Sequence, residues 1–350
     1  MNKQRVLVVG AGRRATETIF PALLGLRDQV QLAGVVARSP RKLSLYNGEL
    51  VVDADDRLDA FDPASLDTIM VAVPRAMVPS VLGTLANMDV GHVSLMLDTP
   101  VMDPRHLGAT RHFARFKKVV ATEDAIGFPS IAHARQLVAA GEIGRLRHVR
   151  LFHSGFRNHG LAAIRFVGRL GLPSSLRVER WHSKWFEIRM RFPKGVTGAI
   201  VHPESNDAGR LMVVGDRGAI VDYPTNRKDA IEIGYRVEGG SFVGLTVAGE
   251  PVPASELDLA FGENVPVGAL AERSLHNQFK IRGLMELIAR LGDDHSDFQY
   301  DPYDAISDHQ IVRVAERFGA LRSVPLPGGR SAFGAGIRGG AFVSRVLARR

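Results

Sequence analysis

The 350-residue chain contains no cysteine, and aromatic side chains make up only 7% of it. The first absence excludes disulfides, thiolate nucleophiles and cysteine-ligated metals, and it suits a reducing compartment. No apolar run approaches the roughly 18 residues that cross a bilayer. No signal-like segment precedes the first strand, so a cytoplasmic protein without a membrane partner is expected. No His, Asp or Glu spacing resembles a metal site. What remains is an ordinary globular composition, 45% hydrophobic and 23% charged, long enough for two domains.

The formal net charge is +8. Five of those charges are Arg330, Arg338, Arg345, Arg349 and Arg350, in a Gly-rich tail with no acidic residue, which leaves +3 for residues 1–329. A basic tail without an aromatic stacking platform is a poor nucleic-acid footprint. It fits an anionic substrate, a partner surface or a solvated end better.

The most informative segment lies near the beginning. Val6 to Val9 are four consecutive aliphatic residues, as in a strand buried on both faces. Gly10-Ala11-Gly12-Arg13-Arg14-Ala15 follows directly, and Thr16 to Phe20 continues as a helix. Gly10 permits a tight turn, Gly12 lets backbone approach a pyrophosphate, and Ala15 allows close helix–strand packing. Helix-start amides would face the phosphates. The competing reading is a plain strand-turn-helix. An acidic residue at the end of the second strand would accept from a free ribose hydroxyl. This chain has Ala37-Arg38-Ser39-Pro40-Arg41-Lys42 instead. Arg38 and Ser39 therefore predict NADP(H), with NAD(H) the alternative; otherwise Arg38, Arg41 and Lys42 are a solvated loop.

Strands are expected at Val30–Val36, Leu66–Val73, His92–Leu97 and Val119–Thr122, with a helix at Val78–Met88. Such alternation implies a parallel, doubly wound sheet over residues 1–122. Beyond it, Ser130–Ala140 reads as a helix, Leu146–His153 as a strand and Leu161–Leu170 as a short helix. From Arg177 to Val252 the period is two, with turns at 193–195, 215–218 and 239–240, which predicts an open, mostly antiparallel sheet. Trp181, His182, Lys184 and Trp185 are expected to alternate along one of its strands, with the tryptophans packing on the sheet or at a subunit interface. Amphipathic helices are expected at Ser274–Leu291 and Tyr303–Phe318. This gives an α+β domain over residues 123–325 and a basic tail over 326–350.

Val9-Gly-Ala-Gly12, Val71-Ala-Val-Pro74, His92-Val-Ser-Leu-Met-Leu-Asp98-Thr99-Pro100 and Leu137-Val-Ala-Ala-Gly141-Glu-Ile-Gly144 occur in one order and spacing. Taken together they resemble the glucose–fructose oxidoreductase, inositol dehydrogenase and rhizopine catabolism family over about residues 5–325. The resemblance implies a Rossmann domain followed by an α+β domain whose large sheet packs between subunits, hence a homodimer or homotetramer. It adds Val73, Pro74, Asp98 and Pro100 to the cofactor contacts. The family usually carries Glu-Lys-Pro where Asp98-Thr99-Pro100 stands, so Thr99 replaces a lysine that orients substrate and tunes proton transfer. Its usual Asp and His, four residues apart, fall on Asn158 and Ala162, and a third polar position falls on Arg165.

Hydride transfer at a carbinol carbon still needs a group to exchange the hydroxyl proton. His159, near neutrality by nature and three residues before Ala162, is the best local candidate; it could equally cap or pack at the helix start. Arg157, Asn158, His159 and Arg165 would form a cationic, polar rim favouring an anionic substrate. Weaker candidates are Glu123 and Asp124, directly after the last strand, and His202, Glu204 and Asp207. The expected activity is hydride transfer between NADP(H) and a polyhydroxylated, anionic small molecule. The alternatives are a cofactor-binding protein without turnover, or a lyase or epimerase with tightly held cofactor.

Overall fold

The computed structural model describes residues 3–153, 157–205, 209–257, 274–292, 300–318 and 320–322. Asp207 and the basic tail lie outside the described residues.

The chain builds two sheets. The first contains β1 (Gln4–Val9), β2 (Val30–Val36), β3 (Arg41–Leu45), β4 (Leu50–Asp55), β5 (Thr68–Val71), β6 (Ser94–Asp98) and β7 (Lys118–Thr122). Their order is β3-β4-β2-β1-β5-β6-β7, parallel throughout except for β3. Val6 to Val9 are buried, as their unbroken aliphatic run requires of a central parallel strand. Helical segments carry the crossovers: α1 (Phe20–Gly25) after β1, α2 (Val78–Ala86) after β5, and a coil of 3-10 turns, Pro104–Arg115, after β6. The topology reverses between β2 and β5, with β1 at the centre, which makes this a doubly wound Rossmann-type sheet.

Two expectations are corrected in this half. Arg41 and Lys42 are not in a solvated loop but begin β3, which pairs antiparallel with β4. The helix after the glycine turn opens with a wide π-turn over Ala15–Ile19 before α1.

The second half begins with α3 (Pro129–Ala140), ended by Gly141, and continues through β8 (Leu146–Phe152) and α4 (Arg157–Gly168). Then come β9 (Ser175–Arg180), β10 (Phe186–Arg191), β11 (Thr197–His202), β12 (Arg210–Gly215), β13 (Ala219–Val221), β14 (Ala230–Glu238), β15 (Ser241–Val247) and β16 (Glu250–Pro253). Two helices, α5 (Leu275–Ala289) and α6 (Pro302–Phe318), precede the edge strand β17 (Ala320–Arg322). The ten-stranded sheet runs β16-β15-β14-β13-β12-β8-β11-β10-β9-β17. Only β8–β11 and β13–β14 pair in parallel, so the expected open, mostly antiparallel sheet is present.

Alternation explains its two faces. Val149, Leu151, Ile188, Met190, Ile200, Leu211 and Val213 are buried and form the core with α4. The intervening residues carry charge: Glu187 takes Arg150 at 2.7 Å and also Arg189, which reaches Glu179 at 3.0 Å.

Two further expectations change. Trp181 to Trp185 do not alternate along a strand; they form the turn joining β9 to β10, with Trp181 52% and Trp185 48% exposed. Helix α5 is not amphipathic. It lies between the halves, against α1 and the segment Asp124–Gly127, and from Gln278 to Ile288 every residue except Lys280 is buried.

Candidate active site

The glycine turn connects β1 to its helix in a shape that requires glycine at position 10. Gly10 has φ +120°, and a Cβ there would lie 2.2 Å from the Ala72 carbonyl oxygen. A Cβ on Gly12 would meet nothing within 4 Å; it would project into the open space in front of the turn. The turn thus presents bare backbone at the start of a helix, flanked by Ala11, exposed Arg13 and partly buried Val73, with exposed Pro74 beyond. That arrangement fits the pyrophosphate of a dinucleotide. Arg38 and Ser39 are exposed just past β2, and the Arg41 guanidinium donates to the Ala11 carbonyl at 3.1 Å. Pairing of the strands also brings in Asp55, opposite Val36, which the order of residues along the chain did not reveal; its carboxylate accepts the Arg57 amide at 2.8 Å.

Arg13 and Arg14 part company. Arg13 stays in solvent, paired with Glu17 at 2.7 Å. Arg14 turns inward and binds Asp98 at 2.9 Å and Asp124 at 2.7 Å, joining the glycine turn to the ends of β6 and β7. Burial opposes the charge on Arg14, but Asp124 and Asp98 outweigh it and hold the guanidinium protonated. Burial likewise pushes the Asp124 carboxyl up, and Arg14 and His159 more than offset this, so it sits below the usual carboxylate range. Asp98 also accepts from the Thr122 hydroxyl at 2.9 Å. Beside it Thr99 donates weakly to the Thr122 carbonyl at 3.4 Å and precedes Pro100 through a cis peptide.

These side chains open onto a cavity of about 550 Å³. Arg14, Asp98, Thr99, Asp124 and His159 form the wall nearest the Rossmann sheet, and Tyr235, Asp222 and Arg210 come from the large sheet. Phe279 and Lys280 of α5 close the remaining side. At the first turn of α4, His159 Nδ1 lies 2.9 and 2.8 Å from the two Glu123 oxygens. Glu123 is 2% exposed and His159 27%, through the cavity. Burial alone would lower the His159 pKa, but the Glu123 carboxylate, its hydrogen bond and Asp124 outweigh burial and Arg14, so it is raised. With Nδ1 engaged, Nε2 is left for a ligand in the cavity.

Three sequence candidates lie elsewhere. Arg165 does not reach the cavity: it is 4% exposed and bound to Asp308 at 2.6 Å, Asp304 at 3.0 Å and the Tyr300 hydroxyl at 3.2 Å, locking α4 to α6. A guanidinium facing apolar core on its helix must find carboxylates there. Asn158 is buried at the start of α4 and does not line the cavity. His202 ends β11 with its ring stacked on Phe186 at 4.5 Å, although Glu204 two residues on lines the cavity. Of the expected rim of Arg157, Asn158, His159 and Arg165, His159 lines the cavity and Asn158 and Arg165 do not, while the Arg157 side chain lies outside the described residues. Sequence reasoning missed Lys280, Arg210, Asp222 and Tyr235, which no local motif marks.

No family model matches the chain, and no curated protein matches it. Solved structures do. An aldose-aldose oxidoreductase from Caulobacter crescentus, complexed with glycerol, is 16% identical with TM-score 0.61, covering 92% of this chain and 100% of that one. An oxidoreductase from Agrobacterium radiobacter in complex with NAD+, L-tartaric acid and magnesium is 14% identical with TM-score 0.60, covering 92% and 98%. An inositol dehydrogenase homolog from Azotobacter vinelandii, complexed with NADH and myo-inositol, is 15% identical with TM-score 0.57, covering 92% and 98%. At these identities the likeness shows a shared two-domain fold.

Proposed function

We propose that the chain is a distant member of the glucose–fructose oxidoreductase and inositol dehydrogenase family. In this reading it is an NAD(P)-dependent oxidoreductase acting on a polyhydroxylated small molecule, with residues 1–122 holding cofactor and 123–325 building the substrate side. The observation that carries it is the Glu123–His159 pair, set in a cavity whose wall also includes Arg14 of the glycine turn. The fold is shared with proteins solved with NAD+, NADH, glycerol, tartaric acid and myo-inositol, which supports the same ligand class here.

A bound nicotinamide supplies the hydride acceptor or donor. Gly10, Ala11 and Gly12 would hold its pyrophosphate, Val73 and Pro74 would flank it, and Asp98 and Pro100 would border the nicotinamide end. Arg38 and Ser39 favour a 2′-phosphate, because Arg38 is exposed and has no partner among the described residues. His159 Nε2 accepts the substrate hydroxyl proton during oxidation and returns it during reduction. Glu123 fixes the ring through Nδ1 and stabilises the imidazolium. The Thr99 hydroxyl offers a hydrogen bond where an ammonium is missing. Arg14 acts as a positioning residue, tying the cofactor turn to the floor of the cavity.

The test is binding of NADPH and NADH to the full chain, then turnover of His159→Gln with a panel of polyols and sugar acids. NADPH is expected to bind more tightly. The substitution is expected to lower kcat by on the order of 10² without loss of cofactor affinity. Equal affinity for both nucleotides would sink the Arg38 argument, and an unchanged kcat would remove His159 from the mechanism.

A further inference from the structure

Two cations of the cavity wall, Arg210 and Lys280, stand outside any ion pair among the described residues. Arg14 is shared by Asp98 and Asp124, and His159 pairs with Glu123, while the Asp222 and Glu204 carboxylates line the same cavity. Arg210 is exposed and donates to the Gly209 carbonyl at 2.7 Å. Lys280 alone among these has neither an ion pair nor a hydrogen bond to any described residue, yet it belongs to the wall.

Its position is not an accident of a flexible surface. Within Gln278–Ile288 every other residue of α5 is buried, so the helix cannot rotate to release Lys280 into bulk water without exposing Phe279, Ile281 or Leu284. Gly283, three residues on and so on the same face, packs so closely on the chain after β7 that a Cβ there would lie 2.2 Å from the Asp124 carbonyl oxygen. That contact seats Lys280 near Asp124, whose carboxyl its charge helps to lower. An ammonium held on a cavity wall by a buried helix, with no ion pair or hydrogen bond to a described residue, is a receptor for an anion or an array of hydroxyl oxygens.

We propose that Lys280 is a specificity-determining residue that binds an anionic group, a carboxylate or phosphate, carried by the substrate in this cavity. The proposal rests on the reading of the cavity as the substrate site of an oxidoreductase. It replaces the expected rim of Arg157, Asn158, His159 and Arg165 as the reason for an anionic substrate. A phosphate of the cofactor is the other source of the same chemistry, and the experiment separates the two.

Calorimetric titration of the full chain, with NADP+ present, compares matched probes: glucuronate against glucose, tartrate against threitol, and gluconate 6-phosphate against gluconate. Wild type is expected to favour the more anionic member of at least one pair by about tenfold or more. Lys280→Met is expected to abolish that preference while leaving NADPH affinity within about twofold, and Lys280→Arg is expected to restore most of it. No anion preference in the wild type overturns the proposal. So does a preference that survives Lys280→Met. A loss of NADPH affinity with the preference unchanged assigns the ammonium to the cofactor and overturns the substrate assignment. Because the readout is binding, it stands apart from His159: failed hydride transfer with intact anion preference would count against the redox reading and not against Lys280.

Discussion

A histidine and a glutamate, 36 positions apart in the chain, give the cavity its acid–base character. Neither is unusual alone. Glu123 directly follows β7 and His159 lies in the first turn of α4 in the second half, and only folding sets Nδ1 against the carboxylate. The raised His159 pKa has a signed consequence. In the oxidative direction the neutral imidazole is the reactive form, so kcat/KM should rise with pH through a midpoint above the ordinary histidine range. Glu123→Gln removes the main raising influence and should move that midpoint down by roughly 1–2 pH units, read from the pH–rate profile; an unmoved midpoint would assign it to another group. Linkage runs the same way. The pair's contribution to stability is complete below the unfolded histidine pKa and fades as pH climbs through the folded value. At this scale the sequence was only half legible. His159, Glu123 and Asp124 were identifiable as candidates from position after strand or before helix. Arg165 was misread because its burial partners, Asp304 and Asp308, lie about 140 residues further along.

Helix α5 closes one side of the cavity and depends on a packing contact with no side chain in it. Gly127 and Gly283 face each other: a Cβ on Gly127 would lie 2.6 Å from the Gly283 Cα. Gly283→Ala should push the helix off the Asp124–Gly127 segment, lowering stability by about 1–3 kcal/mol, read from urea denaturation. Gly292→Ala, where a Cβ meets nothing within 4 Å, is the control and should change little, within about 0.5 kcal/mol. Equal effects at the two positions would refute the close-packing account. Periodicity located α5 well but mistook its character. A helix wedged between two domains is buried on most sides, and a sequence pattern tuned to one apolar face does not anticipate that. The same blindness applies to β3, a strand where local residues read as solvated loop, and to Trp181–Trp185, where a turn interrupts an apparent alternation.

At the level of the whole molecule, the large sheet keeps one face on the helical core and turns the other outward. There Glu187, 1% exposed, is boxed in by Arg150 and Arg189 even within one chain. The proposal that two or four copies associate through this face predicts that light scattering on the purified chain gives a particle of two or four subunits; a single-chain particle would rule out that assembly. No helix among the described residues is long and apolar enough to cross a membrane.

What the sequence determined by itself was the part governed by neighbours along the chain. Four buried aliphatics followed by Gly10-Ala-Gly12 specify a strand and a bare-backbone turn. Alternating periods specify the two kinds of sheet. The tertiary structure alone decided which charges meet. It sent Arg14 inward to Asp98 and Asp124, withdrew Arg165 to α6, set Glu123 behind His159, and left Lys280 on the cavity wall outside any ion pair among the described residues. The physical reason is range. Backbone preference and hydrophobic period act over a few residues, whereas a buried charge is satisfied by whichever opposite charge the fold brings within about 4 Å, wherever it lies in the chain.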